Sequence, residues 1–206
     1  MAHTKPTNPT RFPAGINNAS ITENLGLMGQ LDPTKFQTFA EDFIAAPVAL
    51  GTFTAIVGPG GLATVATTVT VGTPLASFGL NASKRYFFKA RLSLAAVANS
   101  ITVGIADALT GTAQGTTLTI ANNVLTLQNF GGTARTVTAN TALVNATMFT
   151  LGFAYTPNRE LTAYVNDVAV ASITDITALS TSNLIAGIRP SLTTATVDYI
   201  FAAVER

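Results

Sequence analysis

The chain contains no cysteine and no tryptophan, a single histidine, and charged side chains at only 10% of positions. Each shortage excludes a chemistry. Without cysteine there is no disulfide, no thiol nucleophile and no zinc–thiolate site. The lone histidine, His3, lies in a Pro- and Asn-rich leading segment, so a Ser-His-Asp relay has no base in a strand-built body. Eleven basic residues against ten acidic ones leave a net charge of +1, too weak a field to recruit nucleic acid. Lys84, Arg85, Lys89 and Arg91 form the one basic cluster, and no run of stacking aromatics accompanies it.

The acids are scattered. No Asp-rich loop has calcium-binding spacing, and no Glu-x-Asp-x-Glu run sets two carboxyls on one strand face, as a retaining glycosidase requires. Glu41 and Asp42 are adjacent, so on a strand they point to opposite faces. Gly58-Pro59-Gly60-Gly61 lacks a following Gly-Lys-Ser/Thr and reads as a turn, not a phosphate cradle. The expectation is no enzyme, no cofactor and no metal.

Long apolar runs are also missing, although mean hydropathy is +0.40. From Ile44 to Ser83 no residue is charged, yet Thr, Gly and Pro interrupt the stretch, and Ala63 to Val71 alternates with Thr. A spanning helix needs about 20 mostly apolar residues, so no membrane partner is expected. Met1 to Pro13 has no apolar core of a secretory signal, and the Asn18, Asn81 and Asn145 glycosylation triplets then read as chance matches. A folded monomer of 21.2 kDa exposes on the order of 9,000 Å². So few charges over that area suggest a surface covered by subunits.

What is present is alternation. Phe88, Ala90, Leu92 and Leu94 share one side of Tyr86 to Leu94, with Phe87, Lys89, Arg91 and Ser93 on the other. Ile101, Val103 and Ile105 alternate with Thr102, Gly104 and Ala106, and Phe149, Leu151, Phe153 and Tyr155 with Thr150, Gly152 and Ala154. Asn122-Asn123 and Asn166-Asp167 suit two-residue hairpin turns, so Met148 to Ile173 reads as a three-stranded meander. Further strands are expected at Thr52 to Val57, Leu62 to Val71, Leu118 to Ala121, Val124 to Leu127, Leu184 to Arg189 and Ala195 to Ala203. Ala40 to Leu50 has some helical propensity but is broken by Pro47. Ten to twelve short strands without a helix predict an all-β antiparallel β-sandwich, jelly-roll or concanavalin-like, over residues 36–206. The final strand, with Val197, Tyr199 and Phe201 on one face, should pair with a strand near Phe36 to Phe43.

Residues 1–35 differ. Pro6, Pro9, Pro13 and Pro33 with Gly15, Gly26 and Gly29 break every period, so an extended N-terminal arm is expected. Its apolar anchors Phe12, Ile16, Leu25, Leu27 and Met28 are candidate interaction residues, as are Lys89 and Arg91. For the last two, ion pairing with acids on a neighbouring strand is the alternative.

Three stretches together carry a resemblance. They are Arg11-Phe12-Pro13-Ala14-Gly15-Ile16 with Leu31-Asp32-Pro33-Thr34-Lys35 and Phe39-Ala40-Glu41-Asp42-Phe43; Tyr86-Phe87-Phe88-Lys89-Ala90-Arg91; and Asp198 to Arg206. In this order they resemble a family of tailed-bacteriophage virion proteins taken to be capsid decoration, or cement, proteins. The resemblance runs nearly end to end and rests on structural motifs. It departs in the late hairpin, where relatives tend to carry Asn-Gly and this chain has Asn166-Asp167. It implies a major capsid protein as partner, a homo-oligomer (dimer or trimer), and a place on the capsid exterior of the virion. A carbohydrate-binding module, with Tyr164 and Asn166 as its nearest candidates, and a tail or fibre component are the alternatives.

Overall fold

The computed structural model describes residues 35–41, 43, 54–55, 62–73, 78–110, 114–131, 134–157, 160–174, 176, 179 and 183–206. Among these there are strands and no helices. In chain order they are β1 (Phe36–Glu41), β2 (Thr54–Ala55), β3 (Ala63–Val65), β4 (Val71–Gly72), β5 (Tyr86–Leu94), β6 (Ser100–Ala106) and β7 (Gly115–Ala121). β8 (Val124–Phe130), β9 (Ala134–Asn140), β10 (Phe149–Tyr155), β11 (Leu161–Val165), β12 (Val168–Ile173), β13 (Ile185–Ser191) and β14 (Ala195–Glu205) follow.

They form two antiparallel sheets. The eight-stranded sheet runs β12-β11-β10-β5-β14-β3-β2, with β1 also paired to β14, and the six-stranded sheet runs β4-β13-β6-β7-β8-β9. The expected β-sandwich is therefore the observed fold. Its core lies between the sheets, where Tyr86, Phe88, Ala90, Leu92 and Leu94 of β5 meet Ile101, Val103 and Ile105 of β6 and Leu118 and Ile120 of β7. The Tyr86 hydroxyl spans the two sheets: it is 3.0 Å from Thr116 Oγ1, which in turn donates to Asn129 Oδ1 at 3.0 Å. Burial pushes the Tyr86 phenol far above its ordinary range, so it remains a neutral partner of Thr116.

The meander β10-β11-β12 is present, and Asn122, Asn123, Asn166 and Asp167 all adopt positive φ at their hairpin turns. β14 pairs along its second half with β1, from Phe36 opposite Glu205 to Glu41 opposite Ile200. Four expectations need correction. Leu62 to Val71 is not one strand: β3 joins the large sheet and β4 the small one, with Thr68 at φ 64° in the corner and its N–H donating to Pro190 O. Alternation continues through such a corner, so periodicity does not reveal it. The strand β9 was not anticipated: it is an edge strand whose alternation is short, with Val137 and Ala139 half-buried between exposed Thr136, Thr138 and Asn140. A register shift between Val197 and Tyr199 against β5 turns Val197 into the core with Ile200, Ala202 and Val204, leaving Tyr199 and Phe201 on the opposite face. The strands also outnumber the ten to twelve expected. The Gly58–Gly61 turn lies outside the described residues.

Candidate functional site on the outer face of the large sheet

The face of the eight-stranded sheet turned away from the six-stranded sheet gathers the side chains singled out in the sequence. Its axis is the outward row of β5, which is Phe87, Lys89, Arg91 and Ser93. Register places Phe87 between Ala154 of β10 and Ala203 of β14, Lys89 between Gly152 and Phe201, and Arg91 between Thr150 and Tyr199. Three adjacent rows thus grade from apolar to charged.

At the apolar end, the Phe87 and Phe201 rings stack with centroids 5.5 Å apart, and Phe36 of β1 tilts against Phe87 at 6.2 Å. Ala154 and Ala203 complete the cluster, with Tyr164 of β11 packed beside it. The Arg85 guanidinium lies 5.4 Å from the Phe36 ring centroid and binds Glu205 through two nitrogens at 3.2 Å. That contact and a hydrogen bond from the Arg85 N–H hold the Glu205 carboxyl below the usual carboxylate range.

In the middle row Lys89 is the surprise. Its row was expected to face solvent, yet the residue is 1% exposed. Its Nζ lies 2.5 Å from Asp167 Oδ1 in the β11–β12 turn. Gly152 stands directly opposite and brings no side chain to the row; a Cβ there would sit 2.7 Å from Phe88 O. A buried ammonium needs such a partner, because desolvating an unpaired charge is costly.

Arg91 stays half exposed and meets Asp198 of β14 at 2.5 Å, the pairing with a neighbouring-strand acid that the sequence left open. Tyr199 lies among these charges. Burial first, then the carboxylates of Asp167 and Asp198, push its phenol well above the ordinary value against the opposing pull of Arg91. The hydroxyl is therefore protonated at neutral pH. Asn166, at the same turn as Asp167, is exposed and accepts from the Thr150 N–H at 3.0 Å.

Lys89 and Arg91 are thus brought together, while Phe12, Ile16, Leu25, Leu27 and Met28 lie outside the described residues. Asp167, Asp198 and Tyr199 were not anticipated as members. For Asp198 the available signal was that Lys89 and Arg91 could pair with acids on a neighbouring strand; nothing local pointed to Asp167. Among the described residues, no group of three or more His, Asp or Glu side chains could hold a metal ion.

No protein family and no curated protein matches this sequence. Solved structures share its architecture. A prokaryotic β-1,3-1,4-glucanase (lichenase) from a mouse hindgut metagenome aligns with a TM-score of 0.56 at 10% identity, over 81% of this chain and 98% of that one. The Bacillus licheniformis β-glucanase aligns at 0.53 and 9% identity, over 80% and 97%. The binding domain of botulinum neurotoxin DC, solved in complex with SialylT, aligns at 0.53 and 10% identity, and there this chain spans only 42% of the other. Likeness at this level establishes a shared jelly-roll sandwich, a fold that hosts both hydrolases and binding domains.

Proposed function

We propose that this chain is a non-catalytic contact module, and specifically a bacteriophage virion protein that decorates and stabilises the capsid shell as a homo-oligomer bound to the major capsid protein. The non-catalytic part rests on one observation. On the outer face, Asp167, Asp198 and Glu205 are each held by a cation, Lys89, Arg91 and Arg85 respectively. Acid–base chemistry on a glycosidic bond needs one carboxyl raised in pKa and a second placed beside it, whereas each of these three acids is already engaged by a cation. Turnover of β-glucans should therefore stay at background.

The capsid role is supported by the sequence resemblance across the three quoted stretches and by the sparse charge. Repeated shell contacts would give such a module its affinity through local concentration. Cryo-electron microscopy of the parent particle tests it. A sandwich of this topology is expected on the outside of the shell, and finding the protein absent from the shell, or only on the tail or fibres, would overturn the assignment.

The solved-structure comparisons favour a second reading, glycan binding. The neurotoxin neighbour is a binding domain solved with SialylT, and here Tyr164 and exposed Asn166 sit on the β11 hairpin beside the charged rows. A glycan array with no binder above background would remove it.

A further inference from the structure

Among the described residues three large apolar side chains stand exposed, Val144 at 63%, Val168 at 64% and Leu192 at 75%. Two of them, Val144 and Leu192, share one end of the sandwich. Four segments meet there: the corner between β3 and β4 (66–70), the β5–β6 turn (95–99), the β9–β10 loop (141–148) and the β13–β14 turn (192–194). Hydrogen bonds chain them together. Thr67 Oγ1 donates to Thr193 O at 3.0 Å, Asn99 Nδ2 to Leu192 O at 2.7 Å, and the Val97 N–H to Asn145 Oδ1 at 2.8 Å. This end is a braced platform whose loops are fixed before anything binds.

Leu192 is out of place on it by two measures. Its φ of 64° lies in the left-handed region, where a Cβ crowds the backbone and glycine fits without the clash. Its side chain meanwhile stands in water, so packing within the chain does little to offset that strain. A leucine both strained and exposed points to a contact outside the chain. Thr68 and Ala146, at φ 64° and 54°, bring the same conformation to two of the other three segments.

Charge bears on what makes that contact. None of the four segments contains a charged residue, and Arg189, which reaches the corner from β13, donates to Thr68 O at 3.0 Å. A charged partner surface would lose its hydration here and meet no counter-charge. The opposite end differs, for Lys84, Arg85, Asp107, Glu160 and Glu205 stand where β5 and β11 begin and β6 and β14 finish. Stacking one copy's neutral end on the next copy's charged end would desolvate those groups, which disfavours an open filament. Neutral end against neutral end desolvates none of them, and a twofold axis closes such a contact after two copies.

Resting on the homo-oligomeric reading but not on the capsid, we propose that this neutral end is a self-association surface. Two copies meet there end to end across a twofold axis, with Leu192 and Val144 at its centre. Sedimentation equilibrium of the full chain at micromolar concentration should give twice the 21.2 kDa chain mass. Leu192→Gly removes the apolar side chain and suits the backbone, so the variant should keep the wild-type circular dichroism spectrum. Its dimer dissociation constant should rise about tenfold or more, and Val144→Ser should act in the same direction. A dimer unchanged by both substitutions would overturn this surface and leave a homo-oligomer formed elsewhere. A trimer would overturn the twofold arrangement, and a monomer throughout would overturn the homo-oligomeric reading as well. Single thiols locate the contact independently, because the chain has no cysteine of its own. With a flexible bis-maleimide, Val144→Cys should give covalent dimers and Lys84→Cys should not; dimers through Lys84→Cys alone, or through neither, would overturn the proposal.

Discussion

A buried lysine and a partly exposed aspartate are not equivalent halves of a pair. The Lys89 side chain is 2% exposed and that of Asp167 22%. Removing Asp167 strips its ion-pair acid from an ammonium that water hardly reaches, whereas removing Lys89 leaves a carboxylate that water can solvate. Breaking a buried pair from one side costs about 3–5 kcal/mol, and the partial exposure of Asp167 reduces this to roughly 2 kcal/mol. Asp167→Asn should therefore lower the urea midpoint more than Lys89→Met, which keeps the stem packing and removes the buried charge. Equal midpoints would mean that Asp167 does not govern the stability of Lys89. Glu205 provides a pH signature of opposite origin. Its folded pKa is depressed below the ordinary 4.5 by Arg85, so its contribution is present above about pH 4.5 and lost as pH falls through the lower folded value. The stability gap between the wild type and Glu205→Gln should be open at pH 6 and close as urea titrations are carried to pH values below the ordinary carboxylate range. A gap that persists at the acid end would show that the ion pair is not its source.

At the scale of elements, β14 organises the large sheet. It pairs with β5 along one side, and along the other with β3 at its start and β1 at its end. Truncation after Thr194 removes the shared neighbour of three strands and leaves β5 with an open apolar edge. Soluble expression should be lost, and a soluble truncated protein with native-like circular dichroism would show the sheet closing without it. The pairing of this strand with the region from Phe36 was legible because a strand at the chain end left unpaired would expose an apolar edge. So were β5 and β10, where apolar residues recur at every second position, and the β11–β12 hairpin, where Asn166-Asp167 marks the turn. What escaped was whatever breaks the local period or lacks one. β9 writes only a short pattern, with Val137 and Ala139 half-buried between exposed Thr136, Thr138 and Asn140. The corner at Thr68 preserves the pattern while changing sheets, and the bulge after Val197 reverses the faces midway. Of the candidate site, Lys89 and Arg91 were readable as an outward pair on one strand. Their partners were not, because the Arg91–Asp198 contact joins positions 107 apart and follows only from strand order.

The whole molecule carries little charge, and much of what the outer face has is neutralised within it, as Arg85–Glu205, Lys89–Asp167 and Arg91–Asp198. A surface that closes its own ion pairs has few left to offer a partner, and the net charge of +1 gives no long-range steering. Any attachment of this sandwich to a large assembly must then rest on apolar burial and neutral hydrogen bonds from its Thr, Ser and Asn side chains. Such contacts respond weakly to ionic strength, whereas exposed charge pairs are screened beyond about 10 Å at 0.1 M salt. Binding of the purified protein to undecorated particles should accordingly change less than about threefold between roughly 50 and 500 mM sodium chloride, measured as occupancy after sedimentation. A kosmotropic sulfate salt should tighten it, because excluded salts strengthen apolar burial. A tenfold or greater loss in sodium chloride would place the contact on charges instead. Arg91, the half-exposed member of the outer face, would then be the first residue to neutralise, with Arg91→Met expected to reproduce the high-salt occupancy at low salt.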